Sequence, residues 1–267
     1  MRPRYIGEFE SQEAGESDDW HTHDFGQLIS ASRGSMYVGF RNQVLLLSPA
    51  MAVWIPPDAE HWLRYASSNE MLYVDVNRME ADELGTRTRV MKMTPLLSAL
   101  MRATAPDMSS KLTRRHSEAL FDLLGHEIRT AEDVPLSIAL PQDKRISGLA
   151  EAALNNPGSI ASVEIWFAGA AASRKTIERL FVAETGMTPS GWLRHARVLH
   201  AVTLLAAGEK IGSVALDLGY ESASAFTYMF RNTLGLSPSS FFKQAALHPG
   251  PSVRRRRARL TAPKRPP

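Results

Sequence analysis

In the N-terminal part of the chain, apolar residues come in short alternating runs: Gln27–Ser32, Ser35–Phe40, Val44–Leu47, Ala52–Ile55, Trp62–Tyr65 and Met71–Val76. Gly34, Pro49, Pro56-Pro57 and Ser67-Ser68-Asn69 punctuate them. Successive side chains of a strand point to opposite faces, so this pattern predicts short strands closing into an antiparallel barrel or sandwich. Ahead of them Met1–Asp19 is polar and acidic, with Glu8, Glu10, Glu13, Glu16, Asp18 and Asp19, and reads as a loosely ordered arm or an edge strand. From Pro95 the period lengthens. Pro95–Ala103 reads as a short helix, and Leu112, His116, Leu120, Leu123, Leu124, Glu127 and Ile128 mark one stripe across Lys111–Ala131. That stripe serves either packing on the barrel or pairing with its copy in a second subunit. Glu132–Pro141, with its prolines, reads as a linker, and Asp143–Leu154 as a helix stopped by Asn155-Asn-Pro-Gly158.

The helical pattern then repeats. Ser173-Arg-Lys-Thr-Ile-Glu-Arg-Leu-Phe181 and Ser222-Ala-Ser-Ala-Phe-Thr-Tyr-Met-Phe230 each open on a serine suited to accept a bond from an orphan helix N–H. In the first, Ile177, Leu180 and Phe181 share one face, and Arg174, Lys175, Glu178 and Arg179 share the other. In the second, Phe226 and Phe230 anchor the apolar face, leaving Ser224, Thr227, Tyr228 and Arg231 outward. Short helices are expected before each, at Val163–Ala168 and Ile211–Leu218, giving helix, turn, helix twice. Between them Pro189 suits a first helical turn and Gly208 an end. A helix over Pro189–Ala207 would be roughly 28 Å long at ~1.5 Å per residue. Successive major-groove faces of B-DNA lie about 34 Å apart, so this spacer suits two helices entering consecutive grooves.

Gly186-Met-Thr-Pro-Ser-Gly-Trp-Leu-Arg-His-Ala-Arg197, Ala201-Val-Thr-Leu-Leu205, Val214-Ala215, Leu218-Gly-Tyr-Glu-Ser222, Ala225-Phe226, Phe230-Arg231 and Gly235-Leu-Ser-Pro238 together resemble the AraC/XylS DNA-binding domain, over roughly Lys144 to Lys243. The family usually has alanine where Phe167 stands, packed against the recognition helix. The larger ring needs room there, and overpacking typically costs ~1–3 kcal/mol, so the first unit is expected to sit differently or bind more weakly. The resemblance implies contacts with double-stranded promoter DNA by Arg174, Lys175, Glu178 and Arg179 in one groove, and by Ser222, Ser224, Thr227, Tyr228 and Arg231 in the next. It also implies a homodimer and a regulator, activating or repressing, that works with RNA polymerase.

Charge fits that division. Residues 1–80 carry 6 Lys/Arg against 12 Asp/Glu, whereas residues 141–267 carry 17 against 8. A basic half is the electrostatic footprint of a nucleic-acid binder. After Lys243 comes a tail, Pro249–Pro267, with seven basic residues and five prolines, of the composition that stays disordered. The absence of cysteine excludes disulfides, thiol catalysis and thiolate metal sites, and fits a reducing cytoplasm. No apolar run reaches the ~18 residues of a membrane span, and no stretch near Met1 resembles a signal peptide.

His21-x-His23-x3-Gln27-x6-Gly34 is similar to the first cupin motif, with Gln27 in place of the usual glutamate. Pro56-Pro-Asp-Ala-Glu-His61 is similar to the second, with Asp58 where glycine is common. His21 and His23 lie two apart on one strand face, and His61 on a later strand can join them. Three imidazoles and one amide oxygen would suit a divalent Zn²⁺, Ni²⁺ or Fe²⁺. The same groups would equally hold an organic effector by hydrogen bonds, or be remnants of a metal cupin. The whole predicts an α+β chain: a cupin-like effector-binding β-barrel over 1–90, a helical dimerisation and linker segment over 91–140, an all-α domain with two helix-turn-helix units over 141–246, and a basic tail over 247–267. The expected function is a DNA-binding transcriptional regulator, not an enzyme, that senses a small molecule or metal ion. The competing readings are a metal-dependent cupin enzyme tethered to DNA, which the missing glutamate disfavours, and a constitutive DNA-binding dimer.

Overall fold

All six alternating runs form strands. The computed structural model describes residues 4–49, 51–155, 158, 167 and 172–246. The helix expected at Val163–Ala168, Phe167 apart, and the tail beyond Ala246 lie outside the described residues.

The strands are β1 (Tyr5–Gln12), β2 (Ser17–His21), β3 (Gly26–Arg33), β4 (Met36–Gly39), β5 (Gln43–Leu47), β6 (Met51–Ile55), β7 (His61–Tyr65), β8 (Asn69–Val76), β9 (Arg89–Lys92) and β10 (Ser137–Ala139). They build two antiparallel five-stranded sheets, β1-β8-β3-β6-β9 and β10-β5-β4-β7-β2. The acidic N-terminal segment supplies an edge strand to each sheet, β1 against β8 and β2 against β7, where polar residues can face water.

Register decides what each face meets. On the first sheet, Ile29, Val53, Ile55, Met71 and Tyr73 point between the sheets. Leu28, Ala52, Trp54, Leu72 and Val74 point outward, under α1 (Arg78–Leu84), α2 (Pro95–Ala103) and α4 (Arg114–Thr130); α3 (Pro106–Ser109) joins the last two. The stripe on α4 is used within the chain, because Leu124 and Ile128 are fully buried in that layer and Phe121 stacks on Tyr5 at 4.9 Å. Leu123 remains 41% exposed.

The second sheet is also covered outside. Met36, Val38, Leu45, Leu47, Leu63 and Tyr65 face in, while Tyr37, Val44, Leu46, Trp62 and Arg64 face out. This explains the runs Val44–Leu47 and Met51–Ile55, buried at every position. Strands covered on both faces lose the alternation of a half-exposed strand. The outer cover is the C-terminal domain: α5 (Ser147–Asn155), α6 (Arg174–Thr185), α7 (Pro189–Ala206), α8 (Ile211–Asp217), α9 (Ala223–Leu234) and α10 (Pro238–Ala246).

One expectation changes here. Glu132–Pro141 is not a free linker, since Ser137–Ala139 pairs with β5 as an edge strand and Leu46 N–H donates to the Leu136 carbonyl. Arg89–Lys92 also forms a strand, paired with β6. The strand from the supposed linker is what α7 docks on. The buried Trp192 indole donates to the Ala139 carbonyl at 2.7 Å, and the buried His195 ring hydrogen-bonds the backbone of Pro135 and Ser137. Glu184 at the end of α6 accepts from the N–H groups of Gln142 and Asp143.

Replacing Trp192 by Phe keeps most of the apolar contact and removes the indole bond. Urea denaturation is expected to show a loss of ~1–2 kcal/mol; an unchanged midpoint would show that the bond contributes nothing net.

Candidate functional site

The two outward-facing helices are made in the same way. In α6 the Ser173 hydroxyl accepts from Thr176 N–H, and in α9 the Ser222 hydroxyl accepts from Ala225 N–H. Each helix ends on a glycine in the left-handed region, Gly186 at φ 71° and Gly235 at φ 77°, a conformation that costs glycine nothing. Ile177, Leu180 and Phe181 bury one face of α6, with Phe181 edge-on to Trp192; Phe226, Met229 and Phe230 bury one face of α9. Both helices rest on α7, whose first turn is capped by Thr188 and whose 18 residues span about 27 Å at ~1.5 Å each.

Exposure sorts the expected contact residues. Arg174, Lys175 and Arg179 are exposed on α6, and Ser224, Tyr228 and Arg231 on α9; Glu178 and Thr227 are half-buried. Tyr228 is 72% exposed, so its ring is not core. Ser222 is exposed and structural first, though a hydroxyl that accepts a bond keeps its own proton to donate. Arg174 pairs with Glu178 one turn on, at 2.9 Å, and its guanidinium lies 5.3 Å from the Phe167 ring centroid. Phe167 is half-buried at this surface, so its ring forms a platform under Arg174 as well as occupying room.

The barrel carries a second constellation. His21, His23 and His61 converge, with ring centroids 4.2 Å apart for His21 and His61 and 5.2 Å for His23 and His61. The turn before β7 makes this meeting possible. Asp58 takes φ 61°, the left-handed conformation expected of the glycine it replaces, its N–H donates to the His23 carbonyl, and its carboxylate pairs with Arg78. Each imidazole donates from Nδ1 to a backbone carbonyl: His21 to Asp19, His23 to Phe25 and His61 to Ala59. That fixes the tautomer and leaves each Nε2 bare as an acceptor. The Nε2 atoms of His23 and His61 are buried without a protein partner among the described residues. Burial holds the pKa of both below the usual histidine range, His61 down to about 4.

Neutral imidazoles are metal-competent, but among the described residues no three His, Asp or Glu side chains are grouped so as to hold a metal ion. Gln27 is turned away to its neighbour on β8, its amide donating to Asp75 at 3.1 Å. Gln27 and His21 instead line a small cavity of about 210 Å³ at the open edge between the sheets, with Glu8, Glu10, Asp18 and Asp75. Burial, then the neighbouring Glu8 charge, raises the Glu10 pKa. The sequence held the signal for this acidic mouth: Glu8 and Glu10 share a face of β1, opposite the register of Tyr73 and Met71 on β8. The Tyr65 hydroxyl, bonded to Asp18 and to the Tyr73 hydroxyl, fixes its floor.

Two family models match this chain. The AraC-like ligand binding domain covers residues 9–139, and the helix-turn-helix domain covers residues 166–244. The chain belongs to the AraC family of transcriptional regulators. Among curated relatives it is similar to the HTH-type transcriptional regulator NimR of Escherichia coli (strain K12), 28% identical with 83% of this chain and 81% of that protein covered. It is also similar to the HTH-type transcriptional activator RhaR of Klebsiella pneumoniae subsp. pneumoniae, at 24% with 83% and 86% covered. Among solved structures, the DNA-binding domain of AdpA in complex with a target DNA is 34% identical, with 38% of this chain and 91% of that one covered and a TM-score of 0.35. An AraC-family chain of this kind pairs a sheet-rich cupin-like ligand-binding domain with a helical domain that binds double-stranded DNA. No helix among the described residues is long and apolar enough to cross a membrane.

The buried histidines make stability pH-dependent. The unfolded chain takes up a proton at His61 near pH 6.5, and the folded chain only near pH 4. Stability is therefore complete above the upper value and is lost as the pH falls through that window, by on the order of 3 kcal/mol from this residue. The thermal midpoint of the wild type is expected to fall more steeply over that range than that of His61→Gln; equal slopes would remove His61 as the cause.

Proposed function

We propose that the chain is an effector-responsive regulator in which α6 and α9 read successive major grooves and the barrel mouth holds the effector. The observation that carries the DNA part is the matched construction of the two helices: each is capped, glycine-terminated and seated on one rigid spacer, with its polar face left outward. Arg179 and Lys175 would contact guanine edges or phosphates, with Arg174 held by Glu178 and Phe167 as a positioned third cation. Ser222, Ser224, Thr227, Tyr228 and Arg231 would read the next groove with a subtler, hydroxyl-rich code.

In the barrel, His23 and His61 offer two fixed acceptors, and Gln27 with His21 lines the adjoining cavity. An organic effector with hydroxyl or amide donors would satisfy the bare Nε2 atoms and recover the free energy of two unmade bonds. Such an effector alters DNA binding only if the two states of the chain hold it with different affinity. The reading includes a homodimer, for which exposed Leu123 on α4 offers apolar surface, and promoter-bound contact with RNA polymerase.

Selection of sites from a random duplex pool by the full chain tests this reading. Two short blocks about one helical turn apart are expected, repeated if a dimer binds. Arg179→Ala is expected to cost ~1–3 kcal/mol at the selected site and to relax one base position. Equal loss on all sequences would reduce Arg179 to a phosphate contact, and a single selected block would leave one unit silent.

A further inference from the structure

A cavity of about 640 Å³ lies between the halves of the chain, outside the barrel. Its walls are the outer face of the second sheet, the segment 140–142, and helices α5 and α7. It is a different place from the barrel mouth. Along β7 the side chains alternate, so buried His61 faces the barrel interior while Trp62 and Arg64 face this cavity.

We infer that this cavity is a binding site for a small, flat, apolar molecule carrying a single negative charge. The volume falls within the roughly 300–1,000 Å³ of ordinary ligand sites. Trp62 supplies a broad wall because Gly39, opposite it in register, has no side chain: a Cβ there would meet the indole at 1.8 Å. Half-buried Leu154 and Leu204 supply the apolar wall from the helical domain. The anion would be met by Arg64. Its guanidinium stacks 5.1 Å from the Trp62 ring, its head is exposed, and no carboxylate pairs with it among the described residues. The other polar walls do not compete for that role. The Tyr37 hydroxyl is engaged with Thr203 across the domain boundary, and burial lowers the pKa of His200. Glu151, the acid among the lining residues, is exposed and works against a second negative charge. The ligand would touch both domains at once, whatever sequence the recognition helices read.

Fluorescence titration of the full chain with anilinonaphthalene sulfonate and with uncharged phenylnaphthylamine tests the site. Both probes are expected to bind saturably, and Ala66→Trp, at an exposed lining position, is expected to weaken both. Arg64→Gln is expected to weaken the sulfonate by about tenfold or more and to leave the uncharged probe unchanged. Gln27→Ala, in the barrel mouth, is expected to change neither. Both substituted wall positions are exposed, and an unchanged far-ultraviolet dichroism spectrum checks that each variant folds. Absence of saturable binding, indifference to Ala66→Trp, an equal effect of Arg64→Gln on both probes, or loss of binding in Gln27→Ala would each overturn the assignment.

Discussion

The arrangement depends on one helix being buried on nearly every side. α7 hides Trp192, Leu193, His195, Ala196, Val198, Leu199, Ala201, Val202 and Thr203, which between them go right round the helix. A helix that is apolar all round has to be enclosed. One side receives the two recognition helices. Another lies on β10 and the outer face of the second sheet, fixed by the Trp192 indole on the Ala139 carbonyl. Spacer and dock are therefore one element, and the two helices seated on it cannot shift far without straining the contact with the barrel.

The recognition half was legible because its signals are local. Capping serines and three-four spacing are set within about a dozen residues, and Ser173 and Ser222 do what the sequence led one to expect; Gly186 and Gly235 end the same two helices. The barrel strands were legible for the same reason. What escaped was set at long range. β9 and β10 are strands because β6 and β5 offer them an edge, not because Arg89–Lys92 or Ser137–Ala139 carry a strong pattern. The apolar stripe of α4 was visible, but only the partner layer showed that it packs on α2 and the first sheet.

The candidate sites divide in the same way. Both cupin-like segments were readable, and the histidines do meet, because Asp58 adopts the turn its position requires. Whether they point at a common ion was not readable, since it depends on which ring nitrogen each backbone carbonyl claims. All three carbonyls claim Nδ1. The substitution of Gln27 for a carboxylate has a physical counterpart: the amide is spent on Asp75, at the rim of an acidic mouth to which β1 contributes Glu8 and Glu10. Phe167, an expected misfit, is also the surface on which Arg174 lies.

One buried cluster runs without a break from the barrel interior, through Val44, Leu46 and Ile138, to Trp192 and on to Phe226 and Phe230. Chains of this architecture look modular, a sensor bead joined to a reader bead. Here the seam between the beads is itself core. Cutting the chain after β10 would leave Val44, Leu46 and Trp62 bare to water on one piece and the underside of α7 on the other, patches of the kind that drive aggregation. Evolution by exchange of whole halves would need the new sensor to bring a matching apolar sheet face, and this restricts which barrels can be grafted onto this reader.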